Sequence, residues 1–274
     1  MTLEESELQK LNAKVQTVGE VTSLLAFPVV GYLAYLFGVK LMLLDAVFLL
    51  IGALLLAPYI NVVVRRREIA ENENKSTQPT ISPKVVFAGI VLILLFNFAI
   101  APARIFVFNA LKSLTRKEVI YGLLRSTGTL GSLAGVVGIT LFAHKRKIGI
   151  SKPLIVGMLF ESFAVLLLGL PSLVSLFSGI LLLNFGGGIL NVSFDSLFQR
   201  IIPLKKLGTY RGIFDALATL IIPLSQLTFA LLIEHGVDIS MLAAGMFGLG
   251  VLSTAGFFIL MCGIKKRGFT KEEV

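Results

Sequence analysis

The chain has 274 residues, 55% of them hydrophobic and 15% charged, and its mean hydropathy of +0.89 is far above that of a water-soluble domain. Membrane-spanning helices of about 20 apolar residues would consume nearly all of it, which excludes a sizeable soluble domain, a cytosolic enzyme, a secreted scaffold and a nucleic-acid-binding module. The net charge of +9 is therefore a topology signal, and the single Cys262 excludes an internal disulfide.

Apolar runs bounded by charge clusters predict an all-α membrane protein with eight transmembrane helices. The leader Met1 to Gln16 is polar and acidic, unlike the basic start of a signal peptide, so no cleaved segment is expected. Helices follow at about 17–37 and 41–64, and together with the leader these form a first unit, residues 1–64. Residues 65–84, beginning Arg65-Arg66-Arg67 and continuing rich in Asn, Ser, Thr and Pro, read as a linker. A second unit, residues 85–274, holds six more helices at about 85–108, 119–143, 153–170, 172–198, 212–233 and 239–263. Of the 25 Lys and Arg residues, 19 fall on the side of the termini and the linker and four on the other, the remaining two being Arg104 and Arg125 within helices. The positive-inside rule then places both termini and the linker in the cytoplasm of a multi-pass cell-membrane protein.

Laying the first hairpin on the last sets Pro28 against Pro223, each preceded eight residues earlier by an acid, Glu20 and Asp215. The turns Gly38-Val39-Lys40 and Gly236-Val237-Asp238 also correspond. Internal repeats of this kind are how secondary transporters are commonly built, and mid-span prolines are natural helix hinges.

The stretches LQKLNAKVQ, Phe27-Pro28-Val29-Val30-Gly31 and Leu44-Asp45-Ala46-Val47-Phe48 resemble the fifth and sixth helices of the major facilitator superfamily, in particular its macrolide- and drug-efflux permeases. Asn191 to Gly212 resembles the tenth helix and the loop after it, and His144-Lys145-Arg146-Lys147 the basic hinge between the eighth and ninth. Ser23, Pro28 and Gly31 fit the family's antiporter motif, whereas Phe27 and Tyr32 stand where it has small residues. The resemblance implies a partial bundle, with two helices of the N-terminal half and a complete six-helix C-terminal half, the first four helices missing. It also implies that the sixth helix of this chain lines a transport cavity.

Polar side chains inside a span face a bundle interior or a cavity. In the sixth helix Asn184, Gly188, Asn191, Asp195 and Gln199 follow steps of 4, 3, 4 and 4 and so share one face. Asn184 and Asn191 are candidate cavity residues, with interhelical hydrogen bonding as the alternative. Arg125 with Thr129 and Ser132 forms a second stripe and Asn97 with Arg104 a third, making Asn97 and Arg125 further cavity candidates. Glu161 lies about 12 Å into its helix, where a carboxylate must find a partner or lose its charge. It suits ion coupling, or a pairing with Arg125. Asp195 and Asp215, flanking a basic loop, and Glu20, near Lys14 and the linker arginines, are coupling or gating candidates, with ion pairing as the plainer alternative. No catalytic residues, no metal ligands and no cofactor are expected, since no metalloprotease, nucleophile-elbow or phosphate-loop motif occurs.

The expected function is secondary transport, exporting a small amphiphilic molecule by alternating access with proton or ion coupling. The alternative is a truncated, non-transporting membrane protein that needs a partner chain or is a degenerate remnant. The expected partners are the lipid bilayer, a small-molecule substrate and a companion chain or second copy completing the bundle.

Overall fold

The computed structural model describes residues 12–22, 24, 51, 83–112, 117–146, 150–202 and 204–266. They form helix α1 (12–22), α2 (Pro83–Ile100), α3 (Ala103–Lys112), α4 (Lys117–Arg146), α5 (Ser151–Leu168), α6 (Leu173–Ile201), α7 (Leu204–Glu234) and α8 (Ile239–Lys266), with no strand among the described residues. Five stretches are long and apolar enough to cross a membrane: Phe87–Lys112, Ser151–Leu168, Leu173–Gln199, Leu207–Glu234 and Ile239–Gly263. They coincide with the third, fifth, sixth, seventh and eighth expected spans. α4, over the fourth, has the length for a crossing at about 45 Å but is diluted by the Ser, Thr and Gly of residues 126–132. Residues 25–37 of the first expected span, Pro28 among them, the second expected span apart from Ile51, and nearly all of the linker lie outside the described residues.

Besides the start of the first helix, already formed at residue 12 where about 17 is expected, two boundaries are corrected. The single helix at 85–108 is two helices broken at Ala101 and Pro102. Pro102 has no N–H to give the Phe98 carbonyl four residues back, so the ladder stops there. The freed carbonyl is taken by α7, whose Ser225 hydroxyl donates to it at 2.5 Å, while Gln226 Nε2 donates to the Ala101 carbonyl at 3.4 Å. α3 then restarts with the Ile105 N–H on the Pro102 carbonyl at 2.8 Å. The second correction concerns the loop expected between 198 and 212, most of which is helical. Polar residues end a membrane span without ending a helix; α6 runs to Ile201 and α7 begins at Leu204, directly after a proline in the sequence.

α6 is packed between α4 and α5; α8 lies against α5 and α2, and α7 against α2. One core, including Phe96, Met158, Phe194, Phe198, Phe214 and Phe257, joins α2, α5, α6, α7 and α8 at one end of the bundle. Another, including Phe106, Leu124, Val165, Leu176 and Met246, closes the other end. A third is small and seats Ala13 of α1 on Val136 and Ile139 of α4 and Ile189 and Val192 of α6.

The turn between α7 and α8 follows from local chemistry. Gly236 has φ +84°, the left-handed conformation that ends α7, with the Gly236 N–H on the Ile233 carbonyl and the Val237 N–H on the Leu232 carbonyl, both at 3.0 Å. Asp238 then caps α8, accepting from the Ser240 N–H at 2.7 Å and from the Ser240 hydroxyl. The side-chain hydrogen bond from Ser240, with its backbone bond, holds the Asp238 carboxyl below its usual range. Such a cap is fully present above the ordinary carboxylate range and is lost as pH falls through the depressed value. Asp238→Ala is therefore expected to lower the thermal midpoint in detergent modestly at neutral pH and hardly at all in strong acid. Asp238→Asn should keep the cap and remove its pH dependence, as thermal melts across pH would show.

Candidate functional site

The face expected on α6 exists, and its members are drawn to different neighbours. Asn184 is half-buried opposite Gly128 of α4, where a Cβ would stand 2.8 Å from Asn184 Nδ2. That nitrogen donates to the Ile180 carbonyl of its own helix at 2.8 Å. Two turns on, Asn191 is exposed, and its side chain makes no hydrogen bond among the described residues. Between them Gly188 lies against the backbone of Ser132. Toward the end of the helix Asp195 pairs with Arg211 of α7, and Gln199 Nε2 donates to Asn12 Oδ1 of α1 at 3.3 Å.

α1 is the main surprise. Glu20 is bound neither to Lys14 nor to any described arginine; its Oε1 accepts from the Ser132 hydroxyl of α4 at 2.6 Å and from Gln16 Nε2 at 3.0 Å. The pairing with Lys14 does not form because the helix is already formed at residue 12, which turns Asn12, Gln16 and Glu20 onto one face toward α4 and α6, while the linker arginines lie outside the described residues. Asn12 Nδ2 completes this seam by donating to Ser196 Oγ at 3.0 Å. Asn12, Gln16 and Ser196 were not predicted as site residues, although the first two share Glu20's four-residue spacing.

Glu161 of α5 is half-buried against the triple glycine of α6, its Oε1 2.9 Å from where a Cβ on Gly187 would stand. It has no hydrogen bond or ion pair among the described residues, and the alternative pairing with Arg125 does not form, because α6 lies between their helices. Arg125 is on the exposed side of α4, and its carbonyl accepts from the Thr129 hydroxyl at 3.2 Å. Asn97 is half-buried on α2, its side chain unbonded among the described residues and its carbonyl accepting from the Ala101 N–H. No hydrogen bond links Asn97, Arg125, Asn184 and Asn191 to one another. A cleft of about 420 Å³ between α1 and α4 is lined by Ala13, Lys14, Thr17, Val18, Val137, Thr140 and Leu141, so it is mostly apolar and includes none of those four.

Where α6 meets α7, Arg211 bridges two carboxylates, bonding Asp195 through Nη1 and Asp215 through Nε at 3.0 Å. Its guanidinium lies 5.8 Å from the Phe194 ring centre and 6.0 Å from that of Phe198, within reach of a cation–π attraction. Phe194 packs in turn on Phe214 at 4.7 Å. The plainer reading of Asp195 and Asp215, ion pairing, is what the geometry contains, although Arg211 sits within α7 and not in a loop. Pro223 is exposed on α7, which continues through it.

The arrangement is a helical bundle with amides and carboxylates on its inner seams and one amide, Asn191, on an open face. No curated protein and no solved structure matches the chain. The family model described as Major Facilitator Superfamily matches residues 1–226. Members of that family are membrane transporters, and the match covers most of a strongly apolar chain that is helical throughout its described spans, taking in the first three of them and much of the fourth. This multi-pass membrane protein belongs to the major facilitator superfamily.

Proposed function

We propose that the chain exports a small amphiphilic molecule by alternating access, driven by a proton or ion gradient, with both termini and the 65–84 linker in the cytoplasm. The observation that supports it best is the open face of α6. An exposed amide such as Asn191, within a span and sharing a face with Asn184, is costly against lipid and natural against a solvated cavity. The efflux subtype rests on the resemblance of the Asn191 to Gly212 segment to drug permeases, and the orientation on the 19 basic residues of one side. A companion chain or second copy covers the open faces of α6 and α7, α7 being the least buried of the five spans.

Single-cysteine variants in a Cys262→Ser background test this with an amphiphilic fluorescent dye as the transport probe. Asn184→Cys and Asn191→Cys should react with a soluble thiol reagent, and modification at 191 should stop dye export from cells. Leu252→Cys, on the exposed side of α8, should stay unreactive beneath lipid, and Ser76→Cys should be shielded from an impermeant reagent in intact cells. Silence at both asparagine positions together with no dye export would refute the reading.

A further inference from the structure

Glu20 meets Ser132 while Ala13, two turns earlier, is seated on Val136 and Ile139, so α1 and α4 run antiparallel, and the cleft of about 420 Å³ lies beside that seam. Its inner side is made by Ala13, Thr17 and Thr140, which are buried or half-buried, and its outer side by the exposed Val18, Val137 and Leu141. Both threonine hydroxyls spend their protons on their own helices, Thr17 on the Ala13 carbonyl at 2.7 Å and Thr140 on the Val136 carbonyl at 2.8 Å. The cleft therefore offers a visitor hydrocarbon and one cation, Lys14.

That cation is free. Lys14 is exposed and makes no hydrogen bond or ion pair among the described residues, and Glu20, the one acid of the described α1 residues, is taken by Ser132 and Gln16. The antiparallel arrangement sets Lys14 toward the end of α4, which closes with Lys145 and Arg146 and has Lys147 next in the sequence. Leu141 is five residues, or about 8 Å, from that end. At such a depth a lysine lays its stem on apolar surface and holds its ammonium among the headgroups. A basic group over an apolar cleft between helices, at the edge of a bilayer, is the chemistry that selects an acidic lipid.

We propose that this cleft binds an anionic phospholipid, its phosphate on the Lys14 ammonium and one acyl chain along Val18, Val137 and Leu141. A zwitterionic lipid carries its own cation and loses the net attraction, and a soluble phosphate lacks the chain. The exported molecule is not the occupant, since Asn97, Arg125, Asn184 and Asn191 line no part of the cleft and its outer side is turned away from the bundle. A bound chain touches both helices, adding to a contact that otherwise rests on the small Ala13 core and the polar seam of Asn12, Gln16 and Glu20. The site goes beyond the export reading and does not depend on it; the orientation decides only which leaflet supplies the lipid.

The chain has no tryptophan, so one introduced by substitution reports its own surroundings. Ala134→Trp is exposed three residues before Val137 on the same face of α4, and Leu252→Trp, on the exposed side of α8, is the control. The full chain is placed in mixed vesicles of phosphatidylcholine and phosphatidylglycerol, each lipid in turn carrying brominated chains, and the quenching of tryptophan fluorescence gives their relative association. Phosphatidylglycerol should be favoured roughly fivefold at Ala134→Trp, the effect of one basic group, and not at all at Leu252→Trp. Adding Lys14→Gln should abolish the preference, Lys14→Arg should keep it, and inorganic phosphate should leave it unchanged. Without lipid, both Lys14 variants should melt with the parent in detergent, and added phosphatidylglycerol should raise the midpoint of the parent and of Lys14→Arg but not of Lys14→Gln. Equal preference at the two tryptophans, a preference that survives Lys14→Gln, or Lys14→Gln melting below the parent without lipid would overturn the proposal. So would displacement of the lipid by phosphate, which makes the cleft a site for a soluble anion, or no quenching by either lipid at Ala134→Trp, which means that protein covers it. Dye export without a lipid preference defeats this site alone, whereas a lipid preference without export defeats the export reading alone.

Discussion

Gly135→Ala is expected to lower stability by about 3 kcal/mol, the upper end of what overpacking costs, because the atom in the way is backbone. A Cβ on Gly135 would collide with the Phe185 carbonyl oxygen, one on Gly131 with the Leu181 carbonyl oxygen, and one on Gly188 with the Ser132 carbonyl oxygen. A side chain could rotate away; a helical carbonyl can only take its helix with it. The three glycines thus set how closely α4 and α6 approach, and on the far side of α6 the pair Gly157 and Gly186 does the same against α5. Gly138, on the same helix with nothing within 4 Å of its Cβ position, provides the control. Gly138→Ala should be neutral or stabilising by up to about 1 kcal/mol, the helix-propensity difference. Thermal melts of the two purified variants in one detergent decide it. If Gly135→Ala melts with Gly138→Ala, α4 and α6 are not packed as described.

The same glycines show what the sequence can carry. The four-three-four-four spacing of Asn184, Gly188, Asn191, Asp195 and Gln199 correctly reports one helical face, because periodicity is a property of a single helix. It cannot report that Gly188 meets Ser132, that Gln199 meets Asn12 or that Asp195 meets Arg211, since each depends on which helix lies alongside. Boundaries failed for another reason. Hydropathy marks where a chain leaves lipid, whereas α1 is already helical at residue 12 and α7 from Leu204, both in polar sequence. Pro102 was a legible breaker inside an apolar run, but the acceptor it frees finds its donor, Ser225, 127 positions away in the chain. The depth of Glu161 in its helix marks a carboxyl in need of an explanation, and the fold gives it a glycine backbone as neighbour in place of Arg125.

Arg211→Gln carries the second large expected effect, because it removes the charge that holds two carboxylates together. The guanidinium reaches Asp195 on α6 with one nitrogen and Asp215 on its own helix with another, so it joins the ends of two helices that share few other contacts. Glutamine would leave both acids without the counter-charge they share among the described residues. For a fully buried pair the loss would be several kcal/mol; with the Arg211, Asp195 and Asp215 side chains 40%, 34% and 54% exposed, water screens much of it and about 1–2 kcal/mol is expected. Arg211→Lys should fall between, since a point charge cannot reproduce a fork that serves two acids and also lies over Phe194 and Phe198. If unpaired charge is the cause, adding Asp195→Asn to Arg211→Gln should recover part of the loss, and high salt should narrow the gap between parent and single variant. Melts of the four chains at low and high salt measure both effects. A single variant as stable as the parent would leave the Phe194, Phe198 and Phe214 cluster as the tie between α6 and α7, with Arg211 a surface charge that happens to lie over it.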